Sequence, residues 1–238
     1  GVQRYLVAGT DGVYKLTSSN PIIAYGEIGV GIETTDLLNG YGNKNGIYSI
    51  ELFKNKEVIF KSEMKKYDFN QTRALNSLID YNLFLKEKIR FQRSFIEPNN
   101  QLNIYTQSKN NGFVHFSKNI PFDFNYIVKD AYGNTSTISF QVTGNIDKKM
   151  INSIIKPTID TLFSYKDSNY FEDQNIIISI PHDALYNDLP FHFLKADTMR
   201  GAITPTYFVH NDYTPLHKPI SVSIKVGRLS DFLRSKSN

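Results

Sequence analysis

The sequence predicts a mostly β chain of two immunoglobulin-like β-sandwich modules, the first with a helical insertion at about residues 71–88. Short segments of alternating apolar and polar residues recur along most of the chain, separated by Gly and Asn turns. One segment has helical spacing instead, and one stretch past the middle has no periodicity. The 17 Phe and 15 Tyr residues belong to types that strands favour.

The first module, residues 1–144, begins with a predicted hairpin. Residues 4–8 and 13–16 flank Gly9-Thr10-Asp11-Gly12, a turn sequence that is typical of hairpins. The other strands predicted in this module are 21–24, 28–33, 47–54, 57–61, 90–96, 102–107, 112–116, 122–130 and 135–143. Many short strands at such spacing favour a β-sandwich.

The segment 71–88 carries apolar residues at helical spacing, namely Leu75, Leu78, Ile79, Leu85 and, just beyond it, Ile89. Asp68 stands three residues before Gln71, as in a capping box, and Asn70 is a competing N-cap. We therefore predict one helix here, inserted between strands of the first sandwich.

Residues 145–157 lose the alternation and are predicted to be a linker to the second module, residues 158–238. The strands predicted in the second module are 163–165, 176–180, 191–194, 206–210 and 220–226. The polar end from Gly227 is expected to be a stub. Because the chain begins with Gly1 rather than Met, we expect it to be a mature or excised piece of a longer protein.

Composition excludes several classes of site. The chain has no Cys, so it has no disulfide, no thiolate metal site and no Cys nucleophile. It has no apolar run of the roughly 18 residues that a transmembrane helix requires. The formal charge of +4 arises from Lys and Arg that are scattered among 23 acidic residues, and we expect no nucleic-acid partner.

The densest basic cluster is Lys86, Lys88, Arg90 and Arg93, with Tyr81, Phe84 and Phe91 nearby. Interleaved basic and aromatic residues can bind nucleic acid. An amphipathic helix with its apolar face on the sandwich and its basic face in water explains the same pattern. These four residues are the candidate surface-binding residues of the chain.

The five His residues do not have the short spacings that zinc sites favour. His182, His192 and His210 could still meet across strands, which would indicate an enzyme with clustered His residues. The alternative is that His182 and His217 lie in turns and the other two on strand faces. There is no Gly-x-Ser-x-Gly motif, and we predict no catalytic, cofactor-binding or metal-ligating residue in this chain.

Four segments are distinctive in combination: Gly46-Ile-Tyr-Ser-Ile-Glu51, Phe69-Asn-Gln-Thr-Arg73, Val128-Lys-Asp-Ala-Tyr-Gly-Asn-Thr-Ser-Thr137 and Ile178-Ser-Ile-Pro181. Together they resemble the region after the catalytic domain in bacterial lysostaphin/LytM-type zinc endopeptidases, which cut peptidoglycan cross-links. The resemblance implies a periplasmic or outer-membrane-associated place in the cell envelope. The family's His and Asp zinc ligands have no counterpart here, so zinc is expected only in a separate peptidase domain.

The leading functional hypothesis is therefore a non-catalytic accessory region that orients or anchors a peptidase domain of the same polypeptide. Peptidoglycan or another envelope component is the expected partner. The alternative is an independent adhesion or glycan-binding module, which an exposed aromatic platform or a shallow groove would favour.

Overall fold

Two units make up the chain, Gly1–Lys156 (unit 1) and Pro157–Asn238 (unit 2). The computed structural model describes residues 2–37, 44–66, 68–145 and 160–227. The predicted linker lies outside the described residues apart from Asn145, and so does the predicted stub apart from Gly227.

Unit 1 consists mainly of short strands. They are β1 (Val7–Thr10), β2 (Val13–Leu16), β3 (Ile22–Ala24), β4 (Gly26–Ile28), β5 (Gly31–Glu33), β6 (Asp36–Leu37), β7 (Lys44–Asn45), β8 (Ser49–Lys54), β9 (Glu57–Glu63), β10 (Phe91–Arg93), β11 (Tyr105–Ser108), β12 (Val114–Phe116), β13 (Pro121–Lys129) and β14 (Thr135–Gly144). Asp11 and Gly12 link β1 to β2 with φ angles of 53° and 77°. Two consecutive positive φ angles are those of a type I′ hairpin turn, so the predicted hairpin is confirmed, with β1 beginning at Val7.

One eight-stranded sheet organises unit 1, in the order β1-β2-β14-β13-β8-β9-β11 with β3 also paired to β14. β13 and β14 pair antiparallel along the length of β13, and β14 pairs parallel with β2 and β3. Along β13, Phe124, Tyr126 and Val128 are buried, whereas Asp123 and Asn125 are more exposed. This alternation directs one face of the sheet to the core.

The core of unit 1 lies between this sheet and the two-stranded sheets β4–β12 and β5–β10. Val114 and Phe116 of β12 are buried and belong to the same cluster as Leu52 and Phe124 of the large sheet. Strand layers that pack face to face around one core form a β-sandwich. The prediction of a mostly β, sandwich-type chain is therefore confirmed.

Helical structure between β9 and β10 is also confirmed, but a single continuous helix over 71–88 is wrong. The segment contains a 3-10 helix (Phe69–Ala74), α1 (Leu75–Leu78) and α2 (Tyr81–Glu87). Outside this segment, a second 3-10 helix (Asn110–Gly112) precedes β12. Ile79 has an extended backbone and forms a β-bridge with Gln92. Asp80 then begins α2, because its carboxylate accepts the Leu83 N–H at 3.0 Å.

The start of the helical segment is capped by Asp68, as predicted, but no capping box forms. The Asp68 carboxylate accepts the Asn70 N–H at 2.9 Å. The Gln71 side chain instead donates to the Gln101 carbonyl at 3.0 Å. Gln71 thus ties the segment to a distant loop rather than to its own cap.

Unit 2 has small sheets around its own core. Its strands are β15 (Thr161–Phe163), β16 (Asn169–Asp173), β17 (Ile176–Ile180), β18 (Leu189–Phe191), β19 (Phe193–Ala196), β20 (Thr206–Val209) and β21 (Ser221–Ile224). They form the sheets β15–β18, β16–β17–β21 and β19–β20. The buried core cluster includes Phe163, Ile176, Ile178 and Phe191. β16 was not predicted, and the strand predicted at 191–194 is divided at His192.

Candidate functional site

The candidate site of unit 1 is a cleft of about 420 Å³ beside the turn that joins β13 to β14. We call it the end cleft. It is lined by Thr34, Thr35, Asp36, Leu37, Ile47, Val128, Asp130, Tyr132, Asn134 and Ser136. Its volume falls in the range of roughly 300–1,000 Å³ that is common for small-molecule sites.

The turn 130–134 on the rim of the end cleft is held by a dense set of hydrogen bonds to one carboxylate. Asp130 Oδ1 accepts the backbone N–H groups of Tyr132 and Asn134 at 2.8 and 2.9 Å. Asp130 Oδ2 accepts the Asn134 side-chain amide at 2.6 Å. This side-chain bond and then the backbone N–H groups lower the pKa of Asp130 below its usual range. The carboxylate is therefore charged at neutral pH, and the turn is rigid.

This rigid turn presents Tyr132 to solvent. The residue is 84% exposed, whereas Tyr126 in the neighbouring strand is 2% exposed and donates its hydroxyl to Ser94 at 2.9 Å. Tyr126 is thus a core residue, and Tyr132 contributes little to the core. Because hydrogen bonds already order the backbone of the turn, a ligand that contacts Tyr132 has to order only its side chain.

The lining of the end cleft combines hydroxyl, amide and carboxylate groups with an apolar part. Ile47 and Val128 supply the apolar part, while Thr34, Thr35 and Ser136 supply hydroxyl groups. The charged side chains in the lining are the carboxylates of Asp36 and Asp130. This arrangement can accept hydrogen bonds from a ligand and repels ligands of negative charge.

The structure separates the four basic candidates into two groups. Lys86, Lys88 and Arg90 are exposed at or just after the end of α2. Lys88 Nζ and Arg90 Cζ lie 5.7 and 5.9 Å from the centroid of the Phe84 ring, within the range of cation–π contacts. A binding role for this exposed group stays a prediction.

Arg93, in contrast, takes part in a partly buried set of polar contacts that holds α1 on the sandwich. Its guanidinium forms an ion pair with Glu97 at 2.8 Å and donates to the Ser77 carbonyl at 3.3 Å. The Ser77 hydroxyl donates to the other Glu97 oxygen at 2.6 Å. The Arg93 and Glu97 side chains are only 18% and 16% exposed. This geometry gives Arg93 a structural role in docking the helical segment.

His182, His192 and His210 do not converge into a cluster. His192 and His210 stack with ring centroids 5.9 Å apart, but His182 is paired with Asp183 at 2.8 Å. His217 Nδ1 lies 3.2 Å from the Tyr186 hydroxyl. Within the described ranges, no three His, Asp or Glu side chains are placed to share a metal ion.

His210 holds the loop after β20 through both ring nitrogens. Its Nδ1 accepts the His192 backbone N–H at 3.3 Å, so the neutral ring carries its proton on Nε2. Nε2 then donates to the Thr214 hydroxyl at 3.1 Å, and Thr214 donates to Asn211 at 2.9 Å. Burial and then the nearby His192 ring lower the pKa of His210 below its usual value.

Unit 2 should therefore lose stability as the pH falls below about 6.5, the usual pKa of an unfolded His. In that range His210 is protonated more readily in the unfolded chain than in the folded chain, so a fall in pH favours unfolding. We expect the loss between pH 7.5 and 5.5, measured by hydrogen exchange of β17. His210→Asn retains an acceptor near Nδ1 and tolerates the positive φ of 54°. Its free energy of unfolding should depend less on pH, and an unchanged pH dependence would contradict this role.

Comparison with known proteins gives one family match. A family described as the Zu5-like domain matches residues 160–237, which is less than half of the 238 residues. Unit 2 is thus similar to Zu5-like domains. No curated protein matches the chain, and no solved structure matches it. Among the residues that the structure describes, the helices are too short to cross a bilayer.

The end cleft was not predicted from the sequence. The sequence predicts only a connection here, between the strands at 122–130 and 135–143. The sequence feature that indicates a site here is an aromatic residue in a tight polar turn, because the core does not require an aromatic residue at that position. The other wall, residues 34–37, gave no signal because its neighbours in space are distant in sequence.

Proposed function

We propose that the chain is a non-catalytic accessory region of a cell-envelope peptidoglycan metalloendopeptidase. Unit 1 then binds peptidoglycan through the end cleft and so anchors the peptidase domain there. The observation that carries the proposal is the exposed Tyr132 ring on a rigid turn beside a polar cleft. The peptidase part of the proposal rests on the sequence segments that resemble lysostaphin/LytM-type proteins. Zinc and hydrolysis would then belong to a peptidase domain in the same polypeptide.

An independent adhesion or glycan-binding module is the second candidate. The end cleft favours it equally, because a sugar-binding surface needs an accessible aromatic ring and polar groups around it. The two candidate functions predict different domains in the parent protein. A peptidase with the family's His motifs encoded upstream of Gly1 supports the first, and another kind of domain there supports the second.

Anchoring predicts that the purified chain binds isolated murein sacculi and does not dissolve them. Tyr132→Ala should weaken binding about tenfold, which corresponds to roughly 1.4 kcal/mol. Co-sedimentation at increasing sacculus concentration measures the affinity, and turbidity of the same suspension reports hydrolysis.

Phe69→Ala is the matched control, because Phe69 is also an aromatic residue of unit 1 and is 90% exposed. It should bind like the unchanged chain. If the chain does not sediment with sacculi, or if both variants lose binding equally, the end cleft is not the anchor. A falling turbidity would show that the chain is itself a hydrolase.

A further inference from the structure

We infer that the ligand of the end cleft is an uncharged sugar chain, the glycan strand of the envelope polymer rather than its peptide stems. This inference rests on the proposed function, because it takes the end cleft to be the contact point. It adds the chemical class of the group that the cleft recognises.

The charge of the end cleft disfavours anionic ligands. The charged side chains in the lining are Asp36 and Asp130, and the hydrogen bonds to Asp130 hold its pKa low. The cleft thus has a fixed negative charge at neutral pH. Peptide stems carry carboxylates, and phosphate polymers carry one charge per unit, so both are repelled. A ligand made of hydroxyl and neutral amide groups is not.

Hydrogen bonds to a ligand come from the hydroxyl groups of the end cleft rather than from Asp130. A carboxylate has about four acceptor sites. Within the described part of the chain, Oδ1 accepts two N–H groups and Oδ2 accepts one. The Gly133 N–H is a further donor that lowers the pKa of Asp130, so the turn itself uses the acceptor sites of this carboxylate. The Thr34, Thr35 and Ser136 hydroxyls can act as donors or acceptors.

Tyr132 gives the end cleft an apolar surface that suits the face of a sugar ring. A pyranose ring has a face of C–H groups and an edge of hydroxyl groups, so it pairs an apolar surface with polar ones. The Tyr132 ring, 84% exposed beside the apolar Ile47 and Val128, offers the matching apolar surface. Because hydrogen bonds already order the backbone of the turn, sugar binding has to order only the Tyr132 side chain.

The test titrates the full chain with chitotetraose, an uncharged oligomer of N-acetylglucosamine, and separately with a synthetic stem peptide. Amide NMR shifts of residues 132–136 report the site, with EDTA present to exclude a bridging cation. We expect saturable shifts with the sugar alone. Tyr132→Ala should weaken binding at least tenfold, and Thr35→Val should weaken it about threefold, which correspond to roughly 1.4 and 0.65 kcal/mol. Phe69→Ala should leave the affinity unchanged.

The inference is overturned if the stem peptide shifts these residues and the sugar does not, or if Tyr132→Ala has no effect on sugar binding. The outcomes also separate it from the proposed function. Sacculus binding that depends on Tyr132 without any sugar binding leaves the anchor intact and refutes the sugar ligand. Sugar binding without sacculus binding supports the sugar site and refutes the peptidoglycan anchor.

Discussion

Phe191→Ala is expected to lower the free energy of unfolding of unit 2 by about 3–5 kcal/mol, the usual cost of removing a buried aromatic side chain. Phe191 is 1% exposed. Its ring centroid lies 4.6 Å from that of Phe163 and 5.2 Å from that of Phe171, and 5.9 Å from that of His210. Removal of Phe191 therefore affects the strands β15, β16 and β18 and the His210 loop at once.

Hydrogen exchange followed by mass spectrometry measures this loss for each unit separately. Peptides from β17 report unit 2, and peptides from β13 give an internal reference in unit 1. Phe208→Ala is the matched control, because Phe208 is in the same unit and is 53% exposed. It should cost less than about 0.5–1 kcal/mol. Equal effects of the two substitutions would mean that Phe191 is not central to the core.

The strands with one buried face could be predicted from the sequence. β13 was expected at 122–130 and is found at Pro121–Lys129, because alternation fixes both the strand and its register when one face is buried. β16 gives no such signal. Its sequence Asn169-Tyr-Phe-Glu-Asp173 is mostly polar, and Tyr170 is 57% exposed. Its conformation comes from backbone pairing with β17, which local pattern does not reveal.

The interruption of the helical segment is also a tertiary effect. Leu78 and Ile79 continue the helical spacing, so periodicity alone predicts one helix. Ile79 becomes extended because its backbone bridges to Gln92 of β10. Asp80 was the local sign of a second helix start, as an N-cap residue three positions before Leu83.

The candidate site was harder to predict than the fold, because its walls come from residues 34–37, Ile47 and residues 128–136. No pattern within one segment brings them together. Of the four basic candidates, Arg93 differs from the others only through its contacts with Ser77 and Glu97. The sequence showed that these residues are basic, and the fold decides which of them face water.

Leu78→Ala is expected to lower the free energy of unfolding of unit 1 by about 2–4 kcal/mol, because it removes buried methyl groups and leaves a cavity. Leu78 is 4% exposed and ends α1, one residue after Ser77, which contacts Glu97. Ala74 and Leu78 of the segment are both buried, and the polar contact joins the segment to Glu97, which follows β10. Hydrogen exchange of β13 measures the loss in unit 1.

Lys86→Ala on α2 is the control, because Lys86 is exposed in the last turn of that helix. An exposed substitution of this kind should change stability by less than about 0.5 kcal/mol. A large difference between the two variants shows that the helical segment is part of the folded unit and that its basic face is its outer face. If both effects are small, the segment does not dock on the sandwich through Leu78, and polar contacts such as those of Ser77 with Glu97 and of Gln71 with Gln101 must hold it.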